Sequence, residues 1–397
     1  MRFSNANKWD KWLTMSIETT VTRAWQRQAT WLWLLLPFSW LYGLITMLRH
    51  QAYKSGLLSS YRAPVPVMVI GNISVGGSGK TPLIITLVDY LQKQGIHVGV
   101  ISRGYGGDTS QMPALVGKTS LPNVVGDEPC LIVNTTGVAM AVCPNREQAI
   151  TMLLETYPDL QLIIADDGLQ HYALQRDIEW IVVDAARGFG NKQLLPTGFL
   201  REPMSRLKGA DVIYHERATH AQTHDNKESN QHRVNRLTMH LEADNMQRLW
   251  QSSFDSKMRS KMPEKGSQVH AVSGIGYPQR FFDTLDSLGY QVIAHPYPDH
   301  YAFSLAELAE YSDYPIVVTT KDAVKIRALL LEHTAQQALM DDYEKLANNL
   351  WVLPVSTVLS NNCYPHLNRQ LSQLGITTQN DQADSHINDQ DGIKNNG

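Results

Sequence analysis

The densest chemistry in the chain lies in the run from Gly71 to Pro82, GNISVGGSGKTP. Gly76, Gly77 and Gly79 let backbone N–H groups turn inward around phosphate oxygens, and Lys80 can reach the β and γ phosphates of a nucleotide. Thr81 can place its hydroxyl on Mg²⁺, and Ser74, Val75 and Ser78 complete the loop. Pro82 is tolerated in the first turn of a following helix, where its missing N–H had no intrahelical partner. Ser74 stands where the G-x-x-x-x-G-K-[ST] pattern has its first glycine. The flanking VPVMVI (65–70) and PLIITLVDYLQKQG (82–95) read as an apolar strand and an amphipathic helix, so the phosphates would meet the positive end of a helix dipole.

Acidic and basic groups elsewhere supply the remaining candidates. Leu162–Ala165 is an apolar strand running into Asp166 and Asp167, and Ile181–Val183 runs into Asp184. Both are positions where a P-loop enzyme keeps its Mg²⁺-binding carboxylate, and a carboxylate capping the next turn looks the same in sequence. Asp127 in GDEP and His300 in PDHY are ordinary residues when taken alone. The His215, His220, His224 and His232 group has the count of a metal cluster, but it sits in a polar stretch that reads as solvated loop.

These groups are carried on alternating β-branched runs and helix-length segments from Pro64 onward, the pattern of a mainly parallel sheet covered by helices. Strands are expected near 65–70, 98–101, 138–142, 162–165, 178–183 and 211–214, then near 269–272, 291–294, 316–319 and 351–355. The reading is a membrane-associated N-terminal segment (1–54), a P-loop α/β body (55–214), a polar insertion (215–236), a second, smaller α/β body closing over the site (237–376) and a polar tail (377–397) expected to be disordered.

The first fifty residues suit a different solvent. Six of the nine tryptophans lie there, and 31–48 (WLWLLLPFSWLYGLITML) carries no charge. That length is marginal for a spanning helix, and Pro37 and Gly43 interrupt it. Basic residues flank both sides, which leaves orientation undecided, and a helix lying in the membrane interface removes the conflict. A buried core helix is the alternative. A net charge of −3 gives no reason to expect nucleic acid. Three widely spaced cysteines support neither a disulfide framework nor a zinc site and point to a reducing compartment. Val75 replaces the lysine of ParA-like ATPases, and Thr320–Ala323 (TKDA) has its aspartate one place too early for a guanine-specifying motif, which favours adenine.

Taken together, GNISVGGSGKTP (71–82), SRGYGG (102–107), GDEP (126–129), DDGLQHYALQRD (166–177), LLPTGFLREP (194–203), SGIGYPQRFF (273–282), PDHYAF (298–303) and TTKDAVK (319–325) resemble the tetraacyldisaccharide 4′-kinase family of lipid A assembly. The family itself has serine at the position of Ser74. The resemblance implies transfer of the ATP γ-phosphate to the 4′-hydroxyl of a tetraacylated glucosamine disaccharide 1-phosphate at the cytoplasmic face of the inner membrane, with Mg²⁺ and without an obligatory protein partner. It implies Asp127 as base paired with His300, Lys80 and Arg201 on the phosphates, and Thr81, Asp166 and Asp167 around the metal. Arg103 would face either the substrate's 1-phosphate or solvent. The competing readings are a membrane-peripheral P-loop switch, which would turn over ATP with water alone, and a transport ATPase, which would need further spans or an L-S-G-G-Q signature.

Overall fold

The computed structural model describes residues 20–217, 236–250, 261–335 and 340–377. Its strands are β1 (Val67–Gly71), β2 (Val98–Ser102), β3 (Ala114–Leu115), β4 (Ala139–Val142), β5 (Leu162–Asp166), β6 (Ile178–Asp184), β7 (Asp211–His215), β8 (Leu237–Ala243), β9 (Gln247–Arg248), β10 (Gln268–Ser273), β11 (Gln291–Pro296), β12 (Ile316–Thr319), β13 (Leu350–Leu353) and β14 (Val355–Leu359). The principal helices are α1 (Leu36–Lys54), α2 (Lys80–Lys93), α3 (Asp127–Thr136), α4 (Arg146–Thr156), α5 (Gln279–Ser287), α6 (Leu305–Ala309), α7 (Thr320–Ala335), α8 (Met340–Asn349) and α9 (Cys363–Gln373).

A nine-stranded sheet runs β14-β8-β7-β6-β1-β5-β2-β4-β3, parallel except at its two edge strands. β1 is central and buried on both faces, which accounts for its unbroken apolar reading. α2 buries Leu83, Ile84, Leu87, Val88 and Leu91. It also touches α9, where Tyr90 stacks on Tyr364 and its hydroxyl donates to Asn368 at 3.0 Å. The carboxyl ends of β1, β5, β6 and β7 thus carry Asn72, Asp166, Asp184 and His215 along one edge, the crevice where open α/β sheets bind ligands.

The second sheet runs β11-β10-β12-β13-β9, parallel apart from β9. The sequence reading gives 237–376 to the second body, but the sheets divide the chain otherwise. β8, β14 and α9 belong with the nine-stranded sheet and its core, so the second sheet spans only 247–353. An antiparallel ribbon runs through both sheets, with Val355 opposite Ala243 in one and Val352 opposite Gln247 in the other. The two crossings are residues 244–246 and Pro354, joined where the Asp244 N–H donates to the Pro354 carbonyl at 3.0 Å.

Histidine 215 does not belong to a solvated insertion. It ends β7 and is buried. His220, His224, His232, residues 1–19 and the tail from 378 lie outside the described residues.

Candidate active site

The phosphate loop joins β1 to α2. Gly76 (φ 98°) and Gly79 (φ 94°) take left-handed conformations. A Cβ on Gly79 would stand 2.6 Å from Met239 Cε and 2.7 Å from His215 Nδ1. Lys80, first residue of α2, donates to Asn72 Oδ1 at 3.0 Å and lies 3.3 Å from Asp167 Oδ1. Arg201 Nη1 reaches Asp167 Oδ2 at 3.0 Å. Burial alone would raise the Asp167 carboxyl, but Lys80 and Arg201 hold it down to about 2. Asp167 has φ 47°, a strained conformation kept where the surroundings fix it. Thr81 follows Lys80 in the first turn of α2, and Ser74 bridges to Leu200 in the 194–203 loop.

Asp166 sits at the end of β5, fully buried, with Oδ2 accepting from Ser102 Oγ at 3.3 Å and Oδ1 without a hydrogen-bond partner. Burial, together with the charges of Glu128 and Asp167, pushes its carboxyl up to about 7. An orphaned buried carboxylate oxygen next in the chain to Asp167 is a donor that would suit a hard cation such as Mg²⁺. Asp184, the alternative metal carboxylate, has its Oδ1 engaged: it accepts from the N–H groups of Ala186 and Arg187 at 3.0 Å and pairs with Arg280 of α5, while its Oδ2, like Asp166 Oδ1, has no hydrogen-bond partner.

Asp127 is buried at the start of α3, entered through Gly126 at φ 98°, where a Cβ would stand 2.7 Å from the Tyr105 carbonyl oxygen. His300, 173 positions away, brings Nδ1 to 3.1 Å and 3.0 Å from the two Asp127 oxygens. His300 is itself at φ 57°; its N–H faces the Gly274 carbonyl at 3.2 Å, and its ring lies 4.8 Å from that of Tyr105. Burial would raise the Asp127 carboxyl, but the His300 hydrogen bond and the charge of Lys321 hold it below the ordinary range. For His300, burial and Lys321 depress the imidazole while Asp127 lifts it, and the net direction is upward.

The two bodies meet here. Gly276 is closely packed, since a Cβ would lie 3.0 Å from the Gly77 nitrogen and 3.1 Å from Asp299 Oδ2. Arg280 reaches across to Asp184 and to His215, whose Nδ1 lies 2.9 Å from the Ser78 carbonyl oxygen. Burial and the neighbouring Arg280 lower the His215 imidazole to about 4.

Several members escape sequence reasoning. Arg146 is buried, donating to the Cys143 carbonyl at 2.9 Å and the Asp166 carbonyl at 3.2 Å. Gln170 ties Asn72 to Glu202, at 3.1 Å and 2.8 Å. Their one advance signal was a charged or amide residue just beyond an apolar strand. Lys321 and Arg280 lie within TTKDAVK and SGIGYPQRFF, where no local pattern marks them. Arg103 is exposed.

The N-terminal helix is fastened to this site. Ser39 Oγ lies 2.8 Å from Thr197 Oγ1, and the Tyr42 hydroxyl donates to the Arg201 carbonyl at 3.0 Å. Trp25 Nε1 donates to the Pro196 carbonyl at 2.9 Å, and His50 lies 4.9 Å from the Tyr172 ring. Residues Thr30–Lys54 are long and apolar enough to cross a membrane. Leu34, Phe38, Leu41, Ile45 and Leu48 form an exposed stripe at helical spacing on the face away from the body.

Residues 31–372 match the family described as Tetraacyldisaccharide-1-P 4′-kinase. The Tetraacyldisaccharide 4′-kinase of Psychrobacter arcticus is 69% identical over 91% of this chain and 97% of its own. That of Actinobacillus pleuropneumoniae serotype 5b is 43% identical over 85% and 94%. The crystal structure of LpxK from Aquifex aeolicus in complex with ATP superposes with a TM-score of 0.60 at 26% identity, covering 86% of this chain and 99% of that one.

Proposed function

We infer how the residues divide the work in this chain, which belongs to the tetraacyldisaccharide-1-P 4′-kinase family and is an ATP-dependent lipid A 4′-kinase. The loop from Ser74 to Thr81 holds the ATP phosphates, and Lys80 exchanges its partners Asn72 and Asp167 for phosphate oxygens on nucleotide entry. Arg201 adds a second cation at the same edge, in the forked geometry that suits phosphate. Thr81, Asp166 and Asp167 would hold Mg²⁺, which supplies charge neutralisation and orientation of the phosphates.

The acceptor is the 4′-hydroxyl of the tetraacylated disaccharide 1-phosphate. It must lose its proton as it attacks the γ-phosphorus, and Asp127 accepts that proton. His300 donates to the carboxylate and fixes its orientation. The observation that carries this assignment is the meeting of two residues 173 positions apart, from two bodies, at 3.0 Å beside the phosphate loop.

The enzyme works at the cytoplasmic face of the inner membrane, where ATP is available and the acyl chains stay in the bilayer. Ser39 and Tyr42 fasten the N-terminal helix to the body by hydrogen bonds, His50 adds a ring contact near its end, and Trp25 ties down the segment before it. A helix held along its length in this way offers its stripe to the interface and lies in it without crossing. No protein partner and no nucleic acid enter this scheme.

Incubation of the purified protein with ATP, Mg²⁺ and tetraacyldisaccharide 1-phosphate in micelles tests the reading. It is supported by a 4′-phosphorylated lipid formed in step with ADP. ADP release that ignores the lipid would instead identify a switch ATPase.

A further inference from the structure

The string TTKDAVK folds into an arrangement that places one ammonium behind the Asp127–His300 pair. Thr319 ends β12 and donates to Asp322 Oδ2 at 2.7 Å. Fully buried Asp322 also accepts from the Gly274 N–H at 3.0 Å and pairs with Lys325 at 2.8 Å. This buried anchor fixes the first turn of α7, and Lys321 projects from it toward α3. Lys321 Nζ lies 2.9 Å from Glu128 Oε1, 3.1 Å from Asp299 Oδ1, 3.3 Å from His300 Nε2 and 4.0 Å from Asp127 Oδ2.

An ammonium has three donors and no acceptor. Nε2 of His300 can face it at 3.3 Å as a hydrogen-bond partner only through its lone pair, so the ring proton must sit on Nδ1, toward Asp127. A ring protonated at both nitrogens, the form toward which Asp127 lifts it, would oppose an N–H to the ammonium, so Lys321 is the group that resists that second proton. Burial disfavours the Lys321 charge, but Glu128, Asp299 and Asp127 more than offset it and hold the group protonated. Among the described residues, the groups around the pair are Glu128, Cys130 and Tyr105 from the nine-stranded body, and Asp299, Lys321 and Lys325 from the other.

We propose that Lys321 is a positioning residue for phosphoryl transfer: by donating to His300 Nε2 it locks the imidazole as the neutral Nδ1–H tautomer, so that His300 donates to Asp127 and Asp127 stays ionised as the base. Lys321 also occupies the one ring nitrogen that could compete as a base. The proposal rests on the assignment of Asp127 as base.

The test uses the full-length enzyme in lipid micelles with Lys321→Met, Lys321→Gln and Lys321→Arg, each first checked for ATP binding and thermal melting. Lys321→Met should lower kcat about tenfold or more, at the low end of general-base effects, with KM for ATP unchanged. The acidic limb of its kcat profile should move up by about one pH unit, because a nearby cation that favours the carboxylate is gone. Lys321→Gln keeps a donor without the charge and should retain more activity than Lys321→Met, and Lys321→Arg should recover most of it. In a His300→Ala background, Lys321→Met should cost nothing further on the pH-independent plateau of kcat, where Asp127 is ionised with or without the cation. An unmoved acidic limb, equal losses in the Met and Gln variants, or a full further loss without His300 would each overturn the proposal and leave Lys321 as a salt bridge between the bodies. Asp127→Ala at near wild-type rate would instead overturn the base assignment on which it rests.

Discussion

If Asp127 and His300 act as one catalytic unit, their double mutant should be scarcely worse than the poorer single mutant. The structure sets the expectation, because a single N–H from His300 Nδ1 lies almost equidistant from both Asp127 oxygens, at 3.1 Å and 3.0 Å. Asp127→Ala removes the proton acceptor, and His300→Ala removes the group that orients it. Each should lower kcat by about 10²-fold, the lower scale of general-base assistance, or about 2.7 kcal/mol in the barrier at 1.36 kcal/mol per decade. Independent contributions would multiply to about 10⁴-fold, or about 5.4 kcal/mol, in the double mutant. A single unit predicts about 10²-fold again, so the coupling energy is itself about 2.7 kcal/mol. The assay is single-turnover transfer from labelled ATP to micellar lipid, with ATP affinity measured separately and expected to be unchanged, since the loop from Ser74 to Thr81 is intact in all three variants. Multiplicative losses would refute the reasoning and leave His300 as a packing or substrate-binding residue.

Lys80→Ala should abolish transfer with an unchanged circular dichroism spectrum, and a folded variant with near wild-type turnover would overturn the phosphate-loop assignment. Replacing Leu34, Phe38, Leu41, Ile45 and Leu48 together by serine should release the protein from anionic vesicles in a flotation assay while the melting temperature stays close to wild type, because these side chains are exposed. Continued quantitative flotation would mean that the stripe is not the contact surface. His215 and His171 are each held down to about 4, His215 by burial and Arg280, His171 by burial and Arg146. Below about 6.5 the unfolded chain therefore binds protons that the folded chain refuses until about pH 4. Stability to urea should be full above pH 6.5 and decline as the pH falls through that window, and His215→Gln should flatten the decline; an unaltered slope would show that His215 is solvated.

The phosphate loop was legible because strand, turn and helix are contiguous, and the glycines at φ 98° and 94° need no distant partner to be recognised. Asp166 and Asp167 were legible as a class together with Asp184, and strand position does not divide them, since β5 and β6 flank β1 on either side. Asp184 reads identically in sequence yet faces Arg280, 96 positions away. The pairing of Asp127 with His300 came from family resemblance alone, since no local pattern encodes a contact made by two bodies. β8 and β14 were missed for a related reason: LTMHLEA and VSTVL alternate along an antiparallel ribbon whose two strands lie more than a hundred residues apart, and only β8 also has a nearer partner, β7. For a buried arginine such as Arg146 the sequence offers only its place just beyond an apolar strand, because its partners are main-chain carbonyls.

The antiparallel ribbon that threads both sheets gives the second body a mechanical character. A domain hung on one flexible strand can swivel in any direction, like a weight on a cord. This one is hung on two adjacent strands, tied to each other by the Asp244–Pro354 hydrogen bond, like a door on a pair of hinges. Two crossings hydrogen-bonded to each other resist twisting and sideways sliding more than a single strand would. His300, Lys321, Gly276 and Arg280 all belong to the leaf hung on them, and in the structure they meet Asp127, the phosphate loop and Asp184 together.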